Sequence, residues 1–276
     1  MKNLIALVAI GLILVMTVEP ATAQLKSFTE TVPLSSGRGL ILQATKGSVR
    51  LTGWDREQVE IRARIETDSK STEYARRALD ATTVEVTTTA SHVMIRSNYD
   101  NLRTTGWLFK VWQETPSIHY EIRAPKRIDL RLDIDRSVTT LSGFEGRIVL
   151  ELDRSEVEVA DLAGDLRVNI DRGGDSSFRN IRGSININAD RTDLRIDLLS
   201  LNGPSRIEID RGDADVSVAR DQGFDLATSL SRRTDFDTNV SPLFRSRDRR
   251  NPSGLINGGG PRLSINADRG SVRLRS

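Results

Sequence analysis

Between Leu130 and Arg211 apolar and polar residues alternate in short runs, and the runs recur. Each ends in Asp-Arg, at Asp135-Arg136, Asp153-Arg154, Asp171-Arg172, Asp190-Arg191 and Asp210-Arg211, in steps of 18, 18, 19 and 20 residues. Gly164-Asp165-Leu166-Arg167-Val168-Asn169-Ile170-Asp171-Arg172 shows the consensus whole, and Gly146, Gly183 and Gly203 open neighbouring copies. Period-two alternation predicts β-strands whose successive side chains point to opposite faces. Leu166, Val168 and Ile170 then point inward, as do Ile148, Leu150 and Leu152 before them and Ile185, Ile187 and Ala189 after them. A weaker strand follows each Asp-Arg, as in Val157-Glu158-Val159 and Leu194-Arg195-Ile196. A period this regular predicts an all-β, single-stranded parallel β-solenoid of about seven or more coils. Parallel crossovers make it a right-handed β-helix.

The same alternation is looser on either side. Leu40-Ile41-Leu42, Val59 to Ile65, Val84 to Val86, Val93 to Ile95 and Ile118 to Ile122 predict strands in a strand-rich N-terminal part. Ser71 or Thr72 caps a short helix through Leu79, with Ala75, Ala78 and Leu79 on one side. After Ser231-Arg232 the period breaks, with a loop expected from about Ser241 to Gly260, and the last run returns at Leu263 to Arg269, carrying Asp268-Arg269. Gln43 to Leu51 closely matches Asn266 to Leu274, with Thr45-Lys46 in place of Asp-Arg. The expectation is therefore one domain over 24–276. It comprises irregular coils and a cap over 24–129, regular coils over 130–232, a loop insertion over 233–260 and a final coil over 261–276.

Composition suits a thin core, since 37% of the 276 residues are apolar and 5% aromatic. Charged residues make up 28% and balance to +2, with no interleaving of aromatic and basic residues, so nucleic acid is not expected as a partner. Lys2, the apolar run Leu4 to Met16 and Ala21-Thr22-Ala23 form a signal-peptide pattern over 1–23, with cleavage after Ala23. An exported chain, periplasmic or extracellular, with no membrane span once cleaved, is the expectation. The sequence has no cysteine, so packing rather than disulfides must hold it together.

Stacked coils place equivalent residues about 4.8 Å apart. The aspartates would form a column that repels itself, and the arginines beside them would offset it by reaching their own and a neighbouring coil's carboxylate. The Asp-Arg pairs, Asp268-Arg269 included, are thus expected to form a structural ladder that fixes register. The rival reading is a calcium-stabilised β-roll, but the glycine-rich nonapeptide of such rolls is absent and an arginine beside each aspartate competes with a cation. His92 and His119 have no metal-ligand spacing, and no nucleophile elbow, phosphate loop or dinucleotide fingerprint occurs. No cofactor and no metal are expected. Asp133, Glu151 and Glu208 are the carboxylates that a carbohydrate-active β-helix enzyme would use, provided that they face one cleft. Trp107, Phe109 and Trp112, in an excursion over 98–114, are the candidate binding surface or the cap of the core.

Lys46-Gly47-Ser48-Val49-Arg50-Leu51, the strand Val59 to Ile65, the helix-like run Ala75 to Leu79, Tyr120-Glu121-Ile122-Arg123-Ala124-Pro125 and the glycine-punctuated repeats, in that order, resemble the bacterial "putative adhesin" β-strand-repeat family. The resemblance covers most of residues 30–275. It implies a parallel β-solenoid, exported or envelope-associated, with no catalytic residues to carry over. The expected function is a non-enzymatic cell-envelope binding or structural module, whose partner is an envelope protein or glycan.

Overall fold

The computed structural model describes residues 25–69, 71–103, 115–240, 243–246 and 251–276. The signal-peptide pattern and the aromatic trio Trp107, Phe109 and Trp112 lie outside the described residues. The chain forms β1 (Leu25–Pro33), β2 (Gly39–Trp54), β3 (Gln58–Glu66), α1 (Thr72–Ala81), β4 (Thr83–Thr88), β5 (His92–Asn98), α2 (Asp100–Arg103) and β6 (Ser117–Pro125). The long strands β7 (Asp129–Asp153), β8 (Glu156–Asp171) and β9 (Asp175–Asp190) follow, then β10 (Asp193–Leu201), β11 (Ser205–Arg211) and β12 (Ala214–Val218). The last are β13 (Phe224–Thr238), β14 (Leu243–Ser246), β15 (Ser253–Ile256) and β16 (Arg262–Arg275).

The repeat does become parallel, in-register pairing. Leu150 pairs with Val168, and Val168 with Ile187. The side chains expected inward in β7, β8 and β9 are all buried, in one apolar cluster that runs from Val32 to Leu274. Phe144, Phe178 and Phe224 are its largest fully buried members. At about 1.5–3 kcal/mol for each fully buried large side chain, these columns are the main source of stability.

The architecture is nevertheless not a single-stranded β-solenoid, and the right-handed β-helix expectation is overturned. The strands β9, β10, β12, β16 and β11 pair in parallel around a closed circuit, a five-stranded parallel barrel with the other strands outside it. Nor do the strands follow chain order. One side of β2 carries β5 and β6, and the other carries β7. β16 is intercalated between β11 and β12 on one side and β13 on the other. Both ends add antiparallel pairs, β1 with β3, β3 with β6 and β4 with β5 at one, β13 with β15 and β14 with β15 at the other. Alternation reports which residues face inward, whereas strand neighbours depend on connections that carry no periodic signal. Part of the expected 233–260 loop is strand, since β14 and β15 lie within it.

Two features explain how so long a strand turns without ending. In β8 and β9 the bend falls at Gly164 and Gly183, with φ of 146° and 149°. A Cβ on Gly183 would lie 1.8 Å from the Gly164 carbonyl oxygen, so the stacked layers leave room for hydrogen only. At the other bend Arg136, Arg154, Arg172 and Arg191 adopt φ between 48° and 56°. Where Asp-Arg is followed by Gly212 or Gly270, the glycine takes the positive φ instead. A left-handed arginine costs about 1–2 kcal/mol of backbone strain, so its side chain must return something.

The helix α1 is built as its sequence suggests. Ser71 is its N-cap and accepts a hydrogen bond from the Tyr74 backbone N–H at 3.3 Å, while Ala75, Ala78 and Leu79 are buried. Lys26 on β1 donates to the carbonyls of Leu79 and Thr82 at 3.1 and 2.9 Å, which satisfies the helix's last turn.

Two buried hydroxyls, Thr139 Oγ1 and Ser176 Oγ, have no partner among the described residues. Replacing one by an apolar group should relieve a desolvation cost of about 1–3 kcal/mol. Thr139→Val is therefore expected to raise the urea midpoint, whereas Ile187→Ala, at a fully buried site, should lower stability by about 2–5 kcal/mol. A destabilised Thr139→Val variant would show that the hydroxyl has a partner after all.

Candidate functional site

The bend inside β7 at Asp135-Arg136 and the ends of β7, β8, β9 and β11 bring their Asp-Arg pairs together in one row. Arg154 Nε donates to Asp153 Oδ2 at 3.1 Å, and its Nη2 donates to Asp135 Oδ1 at 3.0 Å. Arg172 repeats this with Asp171 and Asp153 at 3.2 and 3.0 Å, and Arg191 with Asp190 and Asp171 at 3.1 and 3.3 Å. Each arginine thus clasps its own aspartate and the one a layer earlier. The left-handed backbone turns the guanidinium back over its own carboxylate, and this is what the strain returns. Arg136 Nε donates to its own Asp135 at 3.0 Å. Arg211 departs from the pattern and places both Nε and Nη2 on Asp190, at 3.1 and 3.2 Å. Asp210 keeps Arg211 Nε at 3.3 Å. At β16, Asp268 meets Arg269 and, from β13, Arg233, each at 3.5 Å.

Partial burial pulls Asp190 upward, but the guanidiniums of Arg191 and Arg211 outweigh it and hold the carboxyl below its usual range. The Asp135 carboxylate, followed by Asp153, raises Arg154. The row is partly open to solvent, so it locks register more than it adds energy.

A second column stands beside this row. Gln43 pairs with Asp133, and Glu151, Asn169, Asn188, Glu208, Asn266 and Ser229 follow one another in parallel register. Asn169 Nδ2 donates to Glu151 Oε2 at 2.9 Å, and Asn266 Nδ2 to Glu208 Oε1 at 3.3 Å. Arg206 is bonded to Glu208, while Asp133 has no partner among the described residues. Between column and ladder runs a shallow groove of about 460 Å³, lined by Asp133, Glu151, Asn169 and Asn188 on one side and Asp135, Asp153, Asp171 and Asp190 on the other. Of the carboxylates weighed for glycan cleavage, Asp133 and Glu151 line the groove, and Glu208 is not in its lining. The ladder's aspartates face arginines. The exposed donors and acceptors of the column are what a polar ligand would meet.

The column was hidden in plain alternation. Its members are Gln, Asp, Glu, Asn and Ser, so no one residue type runs through it, although each sits two places before the Asp, Thr or Ser of the turn. That offset was the available signal. A second group gave none. Ser48 Oγ lies 2.8 Å from His119 Nδ1, and His119 Nε2 lies 2.8 Å from Glu66 Oε1, with Arg64 on the far side of Glu66 at 3.4 Å. The row crosses β2, β6 and β3, which are far apart in sequence. The serine meets Nδ1 and the carboxylate Nε2, the reverse of the arrangement in which serine is activated by Nε2. His92 is bonded locally, through Nδ1, to Thr89 and Ser91 at 3.1 and 3.0 Å. Near the same end, Tyr120 OH bonds Ser97 Oγ at 2.8 Å, and burial pushes its phenol up to about 12. Among the described residues no group of three or more His, Cys, Asp or Glu side chains could hold a metal ion.

Solved structures similar to the chain include a "putative cell adhesion protein" from Clostridium sporogenes, at 9% identity over 91% of this chain and 99% of that one, with a TM-score of 0.34. A "putative adhesin" from Bacteroides fragilis matches at 12% identity over 91% and 96% of the two chains, with a TM-score of 0.35. A "putative lipid binding protein" from Parabacteroides distasonis matches at 8% identity over 90% and 96%, with a TM-score of 0.38. The family resemblance drawn from the sequence is to proteins of the first two descriptions. No family model matches the chain, and no curated protein does.

Two outcomes follow from the ladder. Asp190 titrates lower in the folded chain than in the unfolded one, so its stabilisation is present at neutral pH and is lost as pH falls through the carboxylate range, below about 4. The melting-temperature gap between wild type and Arg191→Gln/Arg211→Gln should therefore narrow between pH 7 and pH 3, and a constant gap would contradict the clasp. A chelator should leave the melting temperature unchanged, because guanidiniums and not cations neutralise the aspartates; a large drop would assign the row to calcium.

Proposed function

We propose that the chain is an exported, non-enzymatic binding or structural module of the cell envelope. Among the described residues no helix is long and apolar enough to cross a membrane. The observation that carries the reading is the groove, where parallel register holds acid and amide side chains of Asp133, Glu151, Asn169 and Asn188 in a fixed row beside a neutralised ladder. Such a row binds by repeated hydrogen bonds of modest strength, which suits an extended polar ligand or a glycan chain better than a small enclosed one. The partner is an envelope protein or glycan.

A photo-cross-linking residue at Asn188, compared with one at Thr87 on β4, tests this on intact cells. The Asn188 probe should capture an envelope component that the Thr87 probe misses, and Asp133→Asn/Glu151→Gln should reduce the capture without lowering the melting temperature. Equal capture at both positions would remove the groove as the address. Turnover of a cell-wall glycan that the double variant abolishes would make the chain an enzyme and end the proposal.

A further inference from the structure

Arg154, Arg172 and Arg191 each hold their own aspartate and the one a layer earlier. The layer before Arg136 is β2, where Thr45 pairs with Asp135 and is followed by Lys46. Lys46 has φ of 59°, the conformation of the ladder's arginines, so this step keeps the ladder's backbone with a threonine where the carboxylate belongs. Arg136 therefore holds its own Asp135 and, among the described residues, no second carboxylate. Asp135 is in turn shared with Arg154. Further along, each arginine finds two carboxylates, whereas the first step carries a guanidinium with one place unfilled.

That place is open and held in shape. The Arg136 side chain is 36% exposed. Lys46 turns its Nζ to the Thr115 carbonyl, so it adds positive charge here without supplying an acceptor. Tyr99 donates its hydroxyl to the Thr45 carbonyl at 2.7 Å, which ties the open step to the chain just before α2. The step stands at the β7 end of the groove, whose lining includes Asp133, Ile134 and Asp135.

We infer that the first step of the ladder is a carboxylate site, in which a ligand's carboxylate takes the place that an aspartate fills in the next three steps. The free side of the Arg136 guanidinium offers it the forked geometry that the ladder uses within itself. The ligand is a glycan with a carboxylate-bearing unit at this end of the groove. Acids and amides make up the groove's exposed lining, and it offers little to the apolar and aromatic side chains on which the core of a protein interface depends. Asp133 and Glu151 repel further anions, so one carboxylate at the β7 end, with hydroxyls or amides beyond it, is the pattern that fits. This deepens the groove reading and rests on it for everything beyond the carboxylate.

Titration of the full chain with sodium glucuronate, followed through the arginine Nε–H signals by NMR, tests the site. The Arg136 signal, assigned by its loss in Arg136→Lys, should shift with glucuronate and not with glucose. Thr45→Asp supplies the missing carboxylate from within the chain, so it should raise the melting temperature and weaken glucuronate binding by about tenfold. Thr45→Asn, of similar size and uncharged, should leave that binding unchanged. Equal glucuronate affinity in the two variants, or no shift of the Arg136 signal in the wild type, overturns the inference. Tighter binding of N-acetylglutamate than of glucuronate at Arg136 would assign the step to a protein partner and overturn the glycan. Capture at Asn188 reports on the groove separately: a glucuronate shift without that capture supports the carboxylate site and removes the groove, and capture without the shift does the reverse.

Discussion

Parallel register brings like residues together, and the protein depends on making that tolerable. Inside, the consequence is favourable, since Leu150, Val168 and Ile187 stack apolar on apolar. Outside, it would align the carboxylates of Asp135, Asp153, Asp171 and Asp190. The arginines that follow them sit in a backbone conformation that L residues avoid, and at Arg154, Arg172 and Arg191 the guanidinium lies where two carboxylates can share it. Strain, charge and register are thus one device. A slipped layer would cost an arginine its second carboxylate and turn the buried set outward.

The same register that creates the charge problem also creates the groove. Once the layers are locked, any polar position repeats as a column, and the one two residues before the turn is Gln, Asp, Glu, Asn or Ser in successive layers. The ladder repeats Asp-Arg because it has one mechanical task, while the column beside it mixes acid, amide and hydroxyl groups and so presents a varied row. A binding role rests on that difference. The Ser48, His119 and Glu66 row belongs to the irregular end, where β3 runs antiparallel to β6 and the repeats no longer apply.

Much of the local structure was legible in the sequence. Strand faces followed alternation, so Leu166, Val168 and Ile170 are buried as their spacing requires, and Ser71 marked the start of α1. Strand neighbours were legible only along the regular repeats of β7, β8 and β9. The near-identity of Gln43 to Leu51 with Asn266 to Leu274 now has a structural counterpart, because β2 and β16 are both held between parallel neighbours on each flank. Read as repeats they placed the first half of the chain in the same repeat architecture as the rest. Each is an interior strand, because later or earlier chain folds back around it. The left-handed arginines were equally hidden: turn rules look for Gly, Asn or Asp at positive φ, whereas here an arginine takes it and clasps its own carboxylate and, at Arg154, Arg172 and Arg191, a neighbouring layer's as well.

The central claim is the order of strands, because the closed barrel and the continuity of the polar column follow from β16 pairing with β11 and β12 on one side and β13 on the other. Paired cysteines in this cysteine-free chain test it directly. In the observed order Glu208 pairs with Asn266, and Ser229 lies one strand further on. Glu208→Cys/Asn266→Cys should therefore form a disulfide within one chain, and Glu208→Cys/Ser229→Cys should not, since two strand spacings of about 9.6 Å exceed the reach of a disulfide. The opposite result, a bond between positions 208 and 229 and none between 208 and 266, would restore stacking in chain order and contradict the account.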